Sequence, residues 1–139
     1  MNFRALFLAL IALLFAAPAF AAEQINRFET VVEVQTNGDI IVTETINIIA
    51  EGQQIRRGIF RDLPRYYEGE GERYEYAYDV MSVRRNGQRE NYDTENEGAA
   101  YRIIIGDEDV MLDHGSHTYE IRYRVANQVR YFEAYDEVY

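Results

Sequence analysis

The sequence predicts an all-β domain, an antiparallel β-sandwich of about seven strands preceded by a helical signal peptide, and three observations carry that reading. Apolar and polar residues alternate over several short segments rich in Val, Ile, Thr and Tyr, which suit a half-buried pleated surface. Turn signals, among them Asn37-Gly38 and Asn86-Gly87, separate those segments. No part of the chain after the N-terminal apolar run shows a convincing helical period. A closed β-barrel fits the same pattern and is the alternative.

The first element is the leader. Arg4 is the only charged side chain before Glu23, Ala5 to Ala17 is unbroken apolar sequence, and Ala19-Phe20-Ala21 fits the A-x-A cleavage pattern. The apolar run spans roughly 20 Å as a helix, short of the ~30 Å hydrocarbon core. Residues 1–21 therefore read as a signal peptide cleaved after Ala21, with an uncleaved anchor as the other reading. Residues 22–139 form the β-domain, which is expected on the periplasmic or other extracytoplasmic face of a membrane.

In that domain Ile25 to Gln35 alternates, with Phe28, Thr30, Val32 and Val34 on one face and Glu29, Val31 and Glu33 on the other. Asn37-Gly38 predicts a type I′ hairpin turn, and Ile40 to Ala50 returns with Ile40, Val42, Ile46 and Ile48 on one face. Residues 51–72, punctuated by Gly52, Gly58, Pro64, Gly69 and Gly71, read as a break in the pattern with an acidic loop at 68–72. Tyr74–Arg85 reads as the next strand, turning at Asn86-Gly87 and returning over Gln88–Tyr92. Asp93–Gly98 reads as a polar loop, Tyr101 to Ile105 as a strand, Asp107–Gly115 as turns, and Thr118–Ala126 as a further strand before a last apolar stretch over 129–135. The pattern stops in mid-strand at Tyr139, so the expectation is a domain truncated at its C-terminal side.

Composition narrows the chemistry. The 14 basic residues are all Arg, there are 24 carboxylates and no Cys, and the net charge is −10. Without residues 1–21 the chain keeps 13 Arg against 24 carboxylates, a formal charge of −11. A nucleic-acid partner is not expected, since phosphate binding needs a basic patch. Lysine Schiff bases, cysteine nucleophiles and thiolate metal sites are excluded by the absence of their residues. An exported domain without disulfides has to hold itself by its core and its sheet pairing.

Four groups of residues are candidates for a site. Glu44 lies on the same face as Val42 and Ile46, and a carboxylate there needs a partner. Arg61, among Ile59, Phe60 and Leu63, can supply one through its planar fork. The pair Glu44–Arg61 is expected to pin Gly58–Pro64 to the sheet; the functional alternative makes Arg57 and Arg61 contacts for an anionic ligand. Tyr74, Tyr76 and Tyr78 share a face and read as core and edge residues, or as an aromatic surface for a sugar or a protein. His114 and His117, with Asp113 before them, have H-x-x-H spacing, but a zinc site needs a further ligand and imidazoles on a turn leading into a strand need not converge, so the segment reads as a solvated hairpin. Asp107, Glu108 and Asp109 lack EF-hand spacing and read as an acidic turn. No catalytic residue, metal site or cofactor is expected.

Three segments in order resemble a known family. They are Asn37-Gly38-Asp39-Ile40-Ile41-Val42-Thr43-Glu44, then Arg57-Gly58-Ile59-Phe60-Arg61-Asp62-Leu63-Pro64, then Ile105-Gly106-Asp107 followed by the strand from His117 to Val125. Behind a leader they resemble the N-terminal region of the bacterial membrane proteins grouped as domain of unknown function 2207. The resemblance implies an extracytoplasmic β-domain at the start of a longer protein, followed by transmembrane helices and a cytoplasmic portion. The family pattern continues past residue 139, usually with a Trp, and this chain has no Trp. The resemblance carries no assigned activity. The leading expectation is a non-enzymatic binding, assembly or sensing module, attached to the membrane through segments outside this chain, with an envelope protein or a glycan as partner. The alternatives are a secreted hydrolase using a carboxylate pair and a free carbohydrate-binding module.

Overall fold

The computed structural model describes residues 23–69, 71–131, 134 and 136–138; the leader expected over 1–21 lies outside them. Among the described residues the chain forms strands and no helix. They are β1 (Gln24–Val34), β2 (Ile40–Ala50), β3 (Gly58–Pro64), β4 (Tyr66–Gly69), β5 (Glu72–Glu75), β6 (Tyr78–Arg85), β7 (Gln88–Arg89), β8 (Tyr92–Glu97), β9 (Ala100–Gly106), β10 (Gly115–Val125), β11 (Val129–Tyr131) and β12 (Asp136–Val138). Every pairing is antiparallel.

A five-stranded sheet in the order β1-β2-β10-β6-β7 faces a three-stranded sheet in the order β3-β9-β8, and neither closes into a barrel. The fold is a β-sandwich, with β4-β5 and β11-β12 as accessory hairpins. The period-2 pattern produces it directly. Along β2 each even-numbered residue is buried, and β10 answers with Tyr119, Ile121, Tyr123 and Val125. The opposing sheet contributes Leu63, Ile103 and Ile105 to the same core. Arg61 of β3 reaches Glu44 of β2, and the Tyr92 hydroxyl of β8 donates to the Val80 carbonyl of β6. The smaller sheet is thus seated over β2, β10 and β6.

Among the described residues, that seating leaves β1 without a strand above it. In register, Phe28, Thr30, Val32 and Val34 lie beside Ile46, Glu44, Val42 and Ile40 of the core-facing row. All 11 residues of β1 are nevertheless exposed. The alternation read from the sequence is present in β1, but the burial it normally signals is not.

The two hairpin turns differ. Asn86 and Gly87 both have positive φ (51° and 78°) in a two-residue loop, as a type I′ turn requires. At Asn37-Gly38 the expected I′ turn is replaced by a three-residue loop in which only Gly38 has positive φ. The Gly38 amide donates to Gln35 and the Gln35 amide to Asp39. The Asn37 side chain explains the change: its Oδ1 accepts from the Asp39 amide, an Asx turn that holds Asn37 itself at negative φ.

Residues 51–72 are not a plain break, since β3 and β4 lie within them. The apolar alternation of β3 is interrupted by Arg61, whose head is answered by Glu44, and Gly58 hid the strand start. Gly58 pairs with Gly106, and a Cβ on Gly58 would sit 1.7 Å from the Ile105 carbonyl oxygen. The strand predicted over 74–85 is divided into β5 and β6. The polar loop predicted over 93–98 is largely β8, an edge strand held by its backbone pairing to β9 and exposed throughout, so it needs no apolar face.

One buried group is left without an answer. The Tyr119 side chain is fully buried, its hydroxyl makes no hydrogen bond among the described residues, and burial pushes its pKa up to about 12. An unsatisfied buried hydroxyl costs about 1–3 kcal/mol. Tyr119→Phe keeps the shape and is expected to raise stability by about 1 kcal/mol in urea unfolding; a lower midpoint would mean the hydroxyl has a partner.

Candidate functional site

Glu44 is 2% exposed, in the middle of the core-facing row of β2. Arg61 projects from β3 across the space between the sheets and binds it with two parallel bonds, Nε to Oε2 at 2.6 Å and Nη2 to Oε1 at 2.7 Å. The Tyr123 hydroxyl of β10 donates to Oε1 at 2.9 Å. The third guanidinium nitrogen donates to the Asp62 carbonyl at 2.5 Å. The hydrogen bonds to Glu44 hold the Arg61 pKa above its ordinary value against the opposing effect of burial. Burial, then the Glu44 charge, holds the Tyr123 hydroxyl well above the usual phenol range. The structure therefore brings Glu44 and Arg61 together in a bidentate pair that spans both sheets. All three nitrogens of Arg61 already donate within the protein.

In front of this pair lies a groove of about 850 Å³ between the two edge strands β1 and β3. Ile25 and Phe28 of β1, Ile48 of β2, Ile55, and Phe60 and Arg61 of β3 shape it. The Arg61 guanidinium lies 5.4 Å from the centre of the Phe28 ring, so the clamp also steadies the groove wall by a cation–π contact. Arg57 is exposed and lines the groove together with Asp107 and Glu108, which follow the Gly58–Gly106 pairing of β3 and β9.

Tyr74, Tyr76 and Tyr78 are also brought together, through Tyr67 of β4. Tyr67 packs on Tyr74 and Tyr76 at 5.3 and 4.7 Å, and Tyr78 packs on Tyr76, Tyr101 and Tyr123 at 5.7, 5.0 and 5.9 Å. The Tyr78 hydroxyl donates to the Pro64 carbonyl, and burial followed by the neighbouring Tyr76 raises its pKa well above the phenol range. These rings pack on one another, and Tyr76, Tyr78 and Tyr101 lie against the core. Tyr67 and Tyr101 escaped the sequence reading because no local pattern sets them beside residues 74–78.

The two histidines do not converge. His117 is buried on the core face of β10, while His114 is exposed on the approach to it. The Asp113 carbonyl can only accept, so the 2.7 Å bond to it places the His117 proton on Nε2; Nδ1 then accepts from Asn86 Nδ2. Asp107 caps its own turn by accepting from the Asp109 amide. Among the described residues no group of three metal-ligating side chains assembles.

Two acids unnoticed in the sequence tie down loops. Asp39 is buried and accepts from the Asn127 amide, Arg124 and Asn37. Those bonds, the Asn127 amide first, hold its pKa below the usual carboxylate range. Glu23 accepts from the amides of Glu51, Gln53, Gln54 and Ile55, and although burial pushes its pKa up, these four donors leave it lowered.

Two outcomes follow from these carboxylates and their partners. In a double-mutant cycle of Glu44→Gln and Arg61→Met, the coupling should be about 2–3 kcal/mol, below that of a fully buried pair because the Arg61 side chain keeps 28% of its exposure. Coupling under about 0.5 kcal/mol would show that the clamp contributes little. Second, Asp39 and Glu23 have folded pKa values below their unfolded ones. Their stabilisation is whole above the unfolded values, near 4, and is lost as pH falls through the folded ones. Thermal melts from pH 7 to pH 2 should show that loss, and Asp39→Asn should flatten the acid limb.

A family described as "Predicted membrane protein (DUF2207) N-terminal domain" matches residues 24–139. A relative from Escherichia coli strain K12, described as "Uncharacterized protein YciQ", is 31% identical over 106 residues, which is 76% of this chain and 17% of that protein. The chain thus spans about a sixth of that relative's length. No solved structure matches.

Proposed function

The chain belongs to the DUF2207 family, as the N-terminal domain of a predicted membrane protein, and on that premise we propose that it is a non-catalytic docking domain on the extracytoplasmic side of the membrane. The observation that carries the reading is the exposure of β1 among the described residues. A soluble domain normally protects its edge strands and covers its apolar faces. Here Ile25, Phe28, Val32 and Val34 are each about half or more exposed, beside the apolar groove that β3 walls on its other side. Such a face suits a polypeptide partner better than a small polar substrate.

Other features support the same reading. Both oxygens of Glu44 are committed to Arg61 and Tyr123, which leaves this buried carboxylate no free edge for acid–base work. The tyrosine rings are stacked on one another, which weighs against a sugar platform. The leader-like residues 1–21 favour export.

The test is site-specific photo-cross-linking in the full-length membrane protein in its own membrane, combined with protease added from outside. A photoreactive residue at Phe28 or Val32 is expected to give discrete polypeptide adducts, and one at Glu95 on β8 none. External protease should reach the domain. Val32→Asp should remove the adducts from position 28 while costing only about 1 kcal/mol in stability. Adducts from neither β1 position, or equally from all three, would overturn the docking reading.

A further inference from the structure

We propose that the partner of β1 is β1 of a second copy of this chain, paired antiparallel across a twofold axis at Thr30. The proposal rests on the docking reading above and names its occupant.

The edges of the two sheets are not alike. β8 carries Asp93, Glu95 and Glu97, β3 carries Arg61 and Asp62 and ends in Pro64, and β7 is only two residues long. Charges, proline and shortness are the ordinary means of keeping an edge unpaired. β1 has 11 residues, no proline and no glycine; its outer row carries charge as that of β8 does, but in both signs (Arg27, Glu29 and Glu33), and its core-side row from Phe28 to Val34 is apolar apart from Thr30. Its register with β2 is continuous apart from a bulge at Asn26 near its start.

A twofold axis perpendicular to the sheet must pass through a residue, so that both apolar rows lie on the same side. The charges on the other row then select among registers. Centring on Val31 sets Glu29 against the partner's Glu33 twice, and centring on Glu29 sets that residue against its own copy. Centring on Phe28 sets Glu33 against the partner's Glu23 and runs the Asn26 bulge through the pairing. Centring on Thr30 sets Arg27 against the partner's Glu33 at both ends, Glu29 against Val31, and Phe28 against Val32. This register matches opposite charges, avoids like ones and lays apolar on apolar. Arg27 and Glu33 are both exposed. Their bonds within the chain, Arg27 to Glu29 and Arg122 to Glu33, lie on the same outer face and extend the row of alternating charge. The product is a single ten-stranded sheet in which the two open grooves adjoin.

Residues 1–139 contain no cysteine, so an introduced one is the first in this domain, and the unsubstituted protein run alongside reads any background from the rest of the chain. In the full chain under mild oxidation, Thr30→Cys is expected to give a disulfide-linked dimer, because facing Cβ atoms in antiparallel pairs lie about 4.5–5.5 Å apart. Val32→Cys, equally exposed, should not, since it stands about 14 Å from its own copy. Adding Arg27→Glu, or Glu33→Arg, to the Thr30→Cys chain should lower the cross-linked fraction about tenfold by setting like charges opposite each other. Mixing those two chains should restore it, because each reversed strand then faces its complement. Cross-linking from Val32→Cys as strong as from Thr30→Cys would overturn the register. No rescue on mixing would overturn the pairing. Photo-adducts at Phe28 without any Thr30→Cys dimer would leave the docking reading standing and sink the second copy as the occupant.

Discussion

A carboxylate inside the core of a small sandwich has to be answered from the opposite sheet, and the answer decides where that sheet sits. Glu44 is in the central row of β2, and only a long cationic side chain from above can reach it with two donors. Arg61 does so from an edge strand, which draws β3 over β2. The Tyr123 hydroxyl completes the coordination from β10, so three strands share one ion pair. With β3 fixed there, a three-stranded sheet covers β2, β10 and β6 and ends before β1. The groove, the exposed Phe28 and the bare edge all follow from that seating.

The pair also shows how a fold without disulfides gains specificity. An ion pair of this kind adds modest stability compared with an apolar substitute. Its geometry is strict, however, and sliding β3 along or across the larger sheet would strand a charge in the core. Gly58 and Gly106 act in the same sense, since the close approach of β3 and β9 at that end admits no side chain on either.

Much of the architecture was legible because most strands carry a period-2 signal that half-burial enforces. β2, β9 and β10 read cleanly, and Glu44 stood out as a charge on an apolar row. Arg61 was legible as its partner for the same reason. Elements held by backbone pairing alone were not. β8 is an exposed edge strand, polar after Tyr92, and β4 is a short hairpin arm in Gly-rich sequence. The exposure of β1 was invisible in principle: its sequence alternates like a buried strand, and only the count of strands in the opposite sheet reveals that no described strand lies over it. Asp39 and Glu23 were hidden because their partners are backbone amides distant in sequence, which leave no pattern.

The long register between β2 and β10 bears on how such a domain withstands force. β10 pairs with β2 from Gly115 to Val125 and with β6 on its other side, so it is the central strand of the larger sheet. β1 starts at one end of that sheet and β10 leaves it at the other. Tension between Gln24 and Val125 therefore acts along the strands, and the hydrogen bonds of each ladder are strained together instead of opening one by one. The sheet is loaded in shear, the direction in which an antiparallel ladder is mechanically strongest, and a domain built this way can be pulled lengthwise without unzipping.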